Sequence, residues 1–168
     1  SGQLGDGTVD SRTLPVAVRV GSVRYSGISA GRFHSLGLAS DGTVYGWGGN
    51  GFGQLGDGTL NDRTRPVAVS AGGIPSGVTI TEVRAGRYHS LALGSDGKVY
   101  AWGRNASGQL GDGTVESRSL PVAVLLVRNG WSSSQASPVE LELVQLGLQS
   151  IARMKKYEAL GALVAKYR

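Results

Sequence analysis

Hydrophobic and polar positions alternate in short runs through the first 124 residues and change period after them. In "HSLALGS" (His89–Ser95), His89, Leu91 and Leu93 fall on one side of a two-residue period, and Ser90, Ala92 and Gly94 on the other. That is the pattern of a strand with one face against a core. "KVYAWG" (Lys98–Gly103) is β-branched and aromatic, a composition that fits a pleated surface. Before it stands "SDG" (Ser95–Gly97), found also at Ser40–Gly42, a hairpin signal because Asp-Gly takes positive φ readily. The prolines of "PVAV" (Pro15, Pro66, Pro121) suit the start of an edge strand, where a missing N–H is tolerated. One unit therefore reads as four strands, roughly 78–86, 88–94, 98–103 and 120–125 in its last full copy.

The unit repeats. "AGRFHSLGLASDGTVYGWGGN" (Ala30–Asn50) matches "AGRYHSLALGSDGKVYAWGRN" (Ala85–Asn105) at a constant offset of 55. "GQLGDGT" stands at Gly2–Thr8, Gly53–Thr59 and Gly108–Thr114, so the period is 51 to 55 residues. The extra four fall in "SAGGIPSGVTI" (Ser70–Ile80), a Gly/Ser/Pro stretch suited to a surface loop. Of 28 glycines, 25 lie before position 125, a density that suits tight turns and excludes long helices there. Four antiparallel strands in about 50 residues make a propeller blade. A blade buries little alone and packs its faces on its neighbours.

The combined motif "GQLGDGT…R…PVAV…AGR[FY]HSL.L.SDG.VY.WG.N" resembles the repeat of the regulator of chromosome condensation family, from Ser1 to about Val124. The resemblance implies seven-bladed β-propellers used mainly for protein recognition. Members of that kind include a guanine-nucleotide exchange factor for a small GTPase and bacterial inhibitors of β-lactamase. The expected fold is an all-β repeat, a partial β-propeller of four-stranded antiparallel blades, followed by a C-terminal α-helical segment. Residues 1–20 read as the end of a preceding blade, 21–76 and 77–126 as two complete blades, 127–137 as a linker and 138–168 as a helical tail. Two and a third blades do not close a ring of seven. The chain is therefore expected to associate with copies of itself, dock on another protein, or form the C-terminal piece of a longer propeller, the last being favoured. Met154 is its one methionine, so Ser1 reads as the start of a processed product, an excised fragment or an incomplete sequence.

The tail has its own pattern. "SSSQAS" (Ser132–Ser137) reads as a flexible linker, and "SPVE" (Ser137–Glu140) joins a capping-box spacing to proline at the first helical position. Leu141, Val144, Leu148 and Ile151 then share one helical face, and Tyr157, Leu160, Val164 and Tyr167 a second, rotated stripe. Those eight residues are the expected partner or assembly contacts. The helix either covers an exposed propeller edge or docks on a partner or a second copy. Lys155, Lys156 and Lys166 are too few for a membrane-surface helix.

Charge and motif chemistry narrow the function further. The net charge of +5 eases contact with an acidic partner but lacks the clustered Lys/Arg of a nucleic-acid groove. No apolar run approaches the roughly 20 residues of a membrane span. The absence of cysteine excludes disulfides and thiolate metal sites. "GFGQLG" (Gly51–Gly56) spells a dinucleotide fingerprint, yet no helix pattern follows it to meet a pyrophosphate. Asp6, Asp57 and Asp112 in "LGDGT" lack the ligand spacing of a calcium loop and read as turn-stabilising side chains. "NAS" (Asn105–Ser107) is formally a glycosylation acceptor.

Gly31, His34, Asp41, Gly42 and Trp47, with their equivalents Gly86, His89, Asp96, Gly97 and Trp102, read as repeat-structural. The histidines are expected to tie strand to turn within each blade and the tryptophans to pack blades. No catalytic residue, metal site or cofactor is expected. The function expected is non-catalytic protein–protein recognition, with nucleotide exchange on a small GTPase, or a structural role in a larger assembly, as alternatives.

Overall fold

The structure, a computed structural model, describes residues 1–18 and 21–125. The linker expected over 127–137 and the helical tail expected over 138–168, with both apolar stripes, lie outside the described residues.

Eight strands form two four-stranded antiparallel sheets, each running up and down in chain order. The first holds β1 (Tyr25–Ala30), β2 (His34–Ala39), β3 (Val44–Gly48) and β4 (Arg63–Ala68). The second holds β5 (Ile80–Ala85), β6 (His89–Gly94), β7 (Val99–Gly103) and β8 (Arg118–Ala123). Registers repeat with the sequence. His34 stands opposite Gly48 and His89 opposite Gly103, while β1 and β5 carry matching bulges after Tyr25 and Ile80.

Two local expectations need correction. Pro66 and Pro121 lie inside the outer strands β4 and β8, which begin earlier, at Arg63 and Arg118. An outer strand has a neighbour on one side only, so an interior proline leaves no ladder partner waiting. A bulge between Gly46 and Gly48 of β3 takes up the irregular pairing. In the β2–β3 turn, moreover, only the glycine of Asp-Gly takes positive φ: Gly42 at 85° and Gly97 at 76° in its counterpart. The aspartates contribute through their side chains instead. Asp41 accepts the Thr43 N–H at 2.9 Å and Asp96 the Lys98 N–H at 3.1 Å.

β5 packs against β1 and β2, and the buried core crosses that seam. Leu36, Leu38 and Val44 from the first sheet meet Ile80, Val83, Ala92, Tyr100 and Trp102 from the second. The two blades fill the same space differently. Gly37 lies under the Tyr25 ring, where a Cβ would come within 2.5 Å of it. The equivalent pair in the second blade is Ala92 and Ile80, a smaller overlying residue with a larger one beneath, which conserves volume as a close-packed core requires.

The seam also explains why matched residues differ in burial. Leu36 and Leu38 are 0% and 6% exposed, but their counterparts Leu91 and Leu93 are half-buried and 36% exposed. The second blade covers the first. Among the described residues nothing equivalent covers the second.

Candidate functional site

The thrice-repeated heptapeptide builds a hydrogen-bonded clasp, complete after β3 and after β7. Asn50 accepts the Leu55 N–H through Oδ1 at 2.9 Å and donates from Nδ2 to Asp57 Oδ1 and the Thr59 carbonyl, both at 3.1 Å. Asp57 Oδ1 also accepts from Thr59 N and Oγ1, and Oδ2 accepts from Arg63 Nε at 2.9 Å. Asn105, Leu110, Asp112, Thr114 and Arg118 repeat this set. Asp6, Thr8 and Arg12 repeat its second half. Burial raises the Asp112 carboxyl, but donors from Thr114 and Arg118 outweigh it and hold the group at about 2.

The clasp presents a backbone carbonyl to the next blade. Gln54 C=O accepts Trp102 Nε1–H at 2.9 Å and Ser90 Oγ–H at 2.7 Å. Gln3 C=O does the same for Trp47 at 2.9 Å and Ser35 at 3.0 Å. Ser90 has one proton and gives it to Gln54, so it accepts from His34 Nε2–H, 3.0 Å away. This fixes the His34 tautomer and leaves Nδ1 as a buried acceptor without a partner. Burial, with His89 nearby, depresses the His34 pKa to about 4. The expected bond from His34 to a turn of its own blade is therefore corrected: the ring joins one blade to the next, because it emerges at the start of β2 on the covered face. His89 stands at the same register in the second blade, its pKa lowered by burial, with no hydrogen-bonded partner among the described residues. Gly31 and Gly86 lie against the imidazoles of His34 and His89, leaving no room there for a Cβ.

At the same end of both sheets lies a cluster that the sequence reading did not single out. Phe33 and Tyr88, from the β1–β2 and β5–β6 turns, stack across the seam with centroids 5.7 Å apart. Phe52, in the loop after β3, meets Tyr88 edge-on at 5.4 Å. Arg32 lies over Phe33 at 5.0 Å, Arg87 over Tyr88 at 5.3 Å, and Arg104 over Phe52 and Tyr88 at 5.5 and 5.9 Å. All four distances fall inside the range of cation–π attraction. The signal available was the Arg-aromatic pair in both "AGR[FY]H" copies, together with two positions where the copies disagree: Gly49 against Arg104, and Phe52 against Ser107.

Elsewhere, a shallow cleft beside the 69–80 loop is lined by residues such as Val44, Val69, Ile74 and Val78 and by no ionisable side chain. Among the described residues no group of three or more His, Asp or Glu side chains is placed to hold a metal. Among the same residues there is no helix long and apolar enough to cross a membrane.

Comparison with known proteins places this geometry. The regulator of chromosome condensation (RCC1) repeat model matches residues 41–93 and 96–137, and a second model of the same repeat matches 25–54 and 80–109. The ultraviolet-B receptor UVR8 of Arabidopsis thaliana is 40% identical over 121 residues, covering 71% of this chain and 27% of UVR8. The structure of Prp20p from Saccharomyces cerevisiae, reported with its binding to Gsp1p and histones, superposes with a TM-score of 0.59 at 23% identity over 77% of this chain. Yeast RCC1 (Prp20) bound to Kap60 gives 0.58 at 29% identity over 76%. The chain spans 32% of each of those two structures, a third or less of every relative named here. Repeated blades, a seam that joins them and matching family models lead to one conclusion: the chain belongs to the regulator of chromosome condensation (RCC1) repeat family.

Proposed function

We propose that this chain is a stretch of β-propeller that serves as a non-catalytic protein-recognition scaffold. Its recognition surface is the arginine–aromatic end of the two blades. The observation that carries the reading is continuity: Phe33, Tyr88 and Phe52 come from three separate loops and form one patch spanning the seam. Prp20p, which shares the fold, is described by its binding to other proteins, and that supports a recognition role here. The test is capture of soluble proteins by the immobilised chain and by an Arg87→Gln/Arg104→Gln variant. Loss of captured species in the variant alone supports the reading. Identical capture by both overturns it.

The same reading assigns the uncovered face of the second blade, with His89, Leu91 and Leu93, to a further blade, because the first blade uses those positions to hold the second. It also assigns the stripes Leu141–Ile151 and Tyr157–Tyr167 to partner or assembly contacts. Light scattering across a concentration series, with and without residues 138–168, tests the second assignment. A discrete oligomer that dissociates on truncation supports assembly through the tail. A mass that truncation leaves unchanged beyond the lost residues refutes it.

A further inference from the structure

We infer that the partner segment taken by this end of the blades is an acidic stretch of protein, its carboxylates bound by Arg32, Arg87 and Arg104. The inference rests on the recognition surface proposed above and adds its chemistry. Arg12, Arg63, Arg84 and Arg118 each face an Asp or Glu of their own chain. Arg32, Arg87 and Arg104 face none among the described residues and lie over rings instead. A guanidinium resting on a ring is held in position while its edge N–H groups stay available, and that fork matches a carboxylate in two places at once. Arg87 and Arg104 share the Tyr88 ring, so two like charges are gathered there, and no carboxylate among the described residues pairs with either.

The cluster favours an acidic peptide over a nucleic acid. Nucleobase binding needs open aromatic faces on which to stack. Here Phe33 and Tyr88 stack on each other, and arginines lie over all three rings. Three cations are also few for tracking a phosphate backbone, whose affinity grows with each phosphate neutralised. An extended segment spaces alternate side chains about 7 Å apart, comparable with the 5.7 and 5.4 Å between the ring centroids beneath the guanidiniums. Phe52, 39% exposed, offers an apolar contact beside them.

The probe is a fluorescein-labelled peptide alternating Glu with Ser, compared with its Gln-for-Glu counterpart by anisotropy against the full chain at about 0.15 M salt. The Glu peptide is expected to bind about tenfold more tightly than the Gln peptide, and Arg87→Gln/Arg104→Gln to lose about tenfold. The charge-matched Arg24→Gln/Arg65→Gln control, with substitutions away from the rings, should change binding no more than about twofold. Unfolding curves verify that both variants remain folded. Equal loss in the control would overturn the inference, as would equal binding of the two peptides. Tighter binding of a labelled single-stranded oligonucleotide through the same arginines would replace it with a nucleic-acid site. If the rim variant loses captured proteins yet the Glu peptide shows no preference, the surface stands and the acidic chemistry fails.

Discussion

Replacing Ser90 by alanine tests whether the blade seam is held as described. Ser90 is fully buried and joins His34 Nε2 to the Gln54 carbonyl. In Ser90→Ala the carbonyl keeps its bond from Trp102, but the His34 N–H loses its acceptor in a site that is 1% exposed. A buried donor left unsatisfied costs about 1 to 3 kcal/mol, and the lost serine bonds set the lower end of that range. Ser35 is the repeat equivalent and makes the matching bond to Gln3 C=O, yet no histidine meets it among the described residues. Ser35→Ala should therefore cost less than about 1 kcal/mol, the net worth of one partly exposed bond. Urea unfolding of both variants near neutral pH, read as a shift in midpoint at constant slope, separates the two values. Equal destabilisation by the two substitutions would refute the reasoning, since Ser90 alone carries the histidine bond and the deeper burial. So would a loss below about 0.5 kcal/mol for Ser90→Ala.

Three further outcomes follow from the same geometry. His34 is held at about 4 against an ordinary 6.5, so between those values the unfolded chain binds a proton that the folded chain refuses. Stability should fall by about 3 kcal/mol as pH drops from 6.5 to 4; unfolding curves across that window should show the slope, and His34→Gln should remove most of it. Gly53 sits at φ 77° with a hypothetical Cβ 2.5 Å from Ser119 Cα and 2.8 Å from the Arg118 carbonyl. Gly53→Ala should lower stability by at least about 2 kcal/mol, whereas Gly51→Ala, with no atom within 4 Å, should stay within about 0.5 kcal/mol. Asp112→Asn removes the charge facing Arg118 at 2.8 Å, which should cost about 1 to 2 kcal/mol and abolish the part of the acid-unfolding curve below pH 3.8 that this carboxyl supplies.

The repeat was legible because its spacing is covalent. A 55-residue offset between "AGRFHS" and "AGRYHS" fixes two equivalent sheets whatever their contacts, and alternation in "HSLALGS" places β6. The direction of His34 was not legible. Its partner is 56 positions away, and only the packing of β5 on β1 and β2 brings the two together. Pro66 misled the strand boundary, because tolerance of a missing N–H depends on which side of the strand has a neighbour. The arginine–aromatic end escaped notice for another reason. Arg104 and Phe52 stand where the copies differ, opposite Gly49 and Ser107, so the repeat does not mark them.

The β1–β2 turn separates the two tasks along four residues, the outer two serving the seam and the inner two the blade end. Gly31 and His34 face the seam, where a Cβ at Gly31 would reach within 2.5 Å of the imidazole and of the Gly86 carbonyl. Arg32 and Phe33, between them, take part in the cluster at the blade end. A substitution at His34 disturbs the packing of two blades. One at Arg32 removes a partly solvated charge and leaves the Ser90 and Gln54 bonds in place. Both described blades keep this Gly-Arg-aromatic-His order, so one short motif carries the seam contacts and the exposed cluster on different side chains. It follows that Arg32→Gln should alter binding with little effect on unfolding, and that Gly31→Ala should do the reverse.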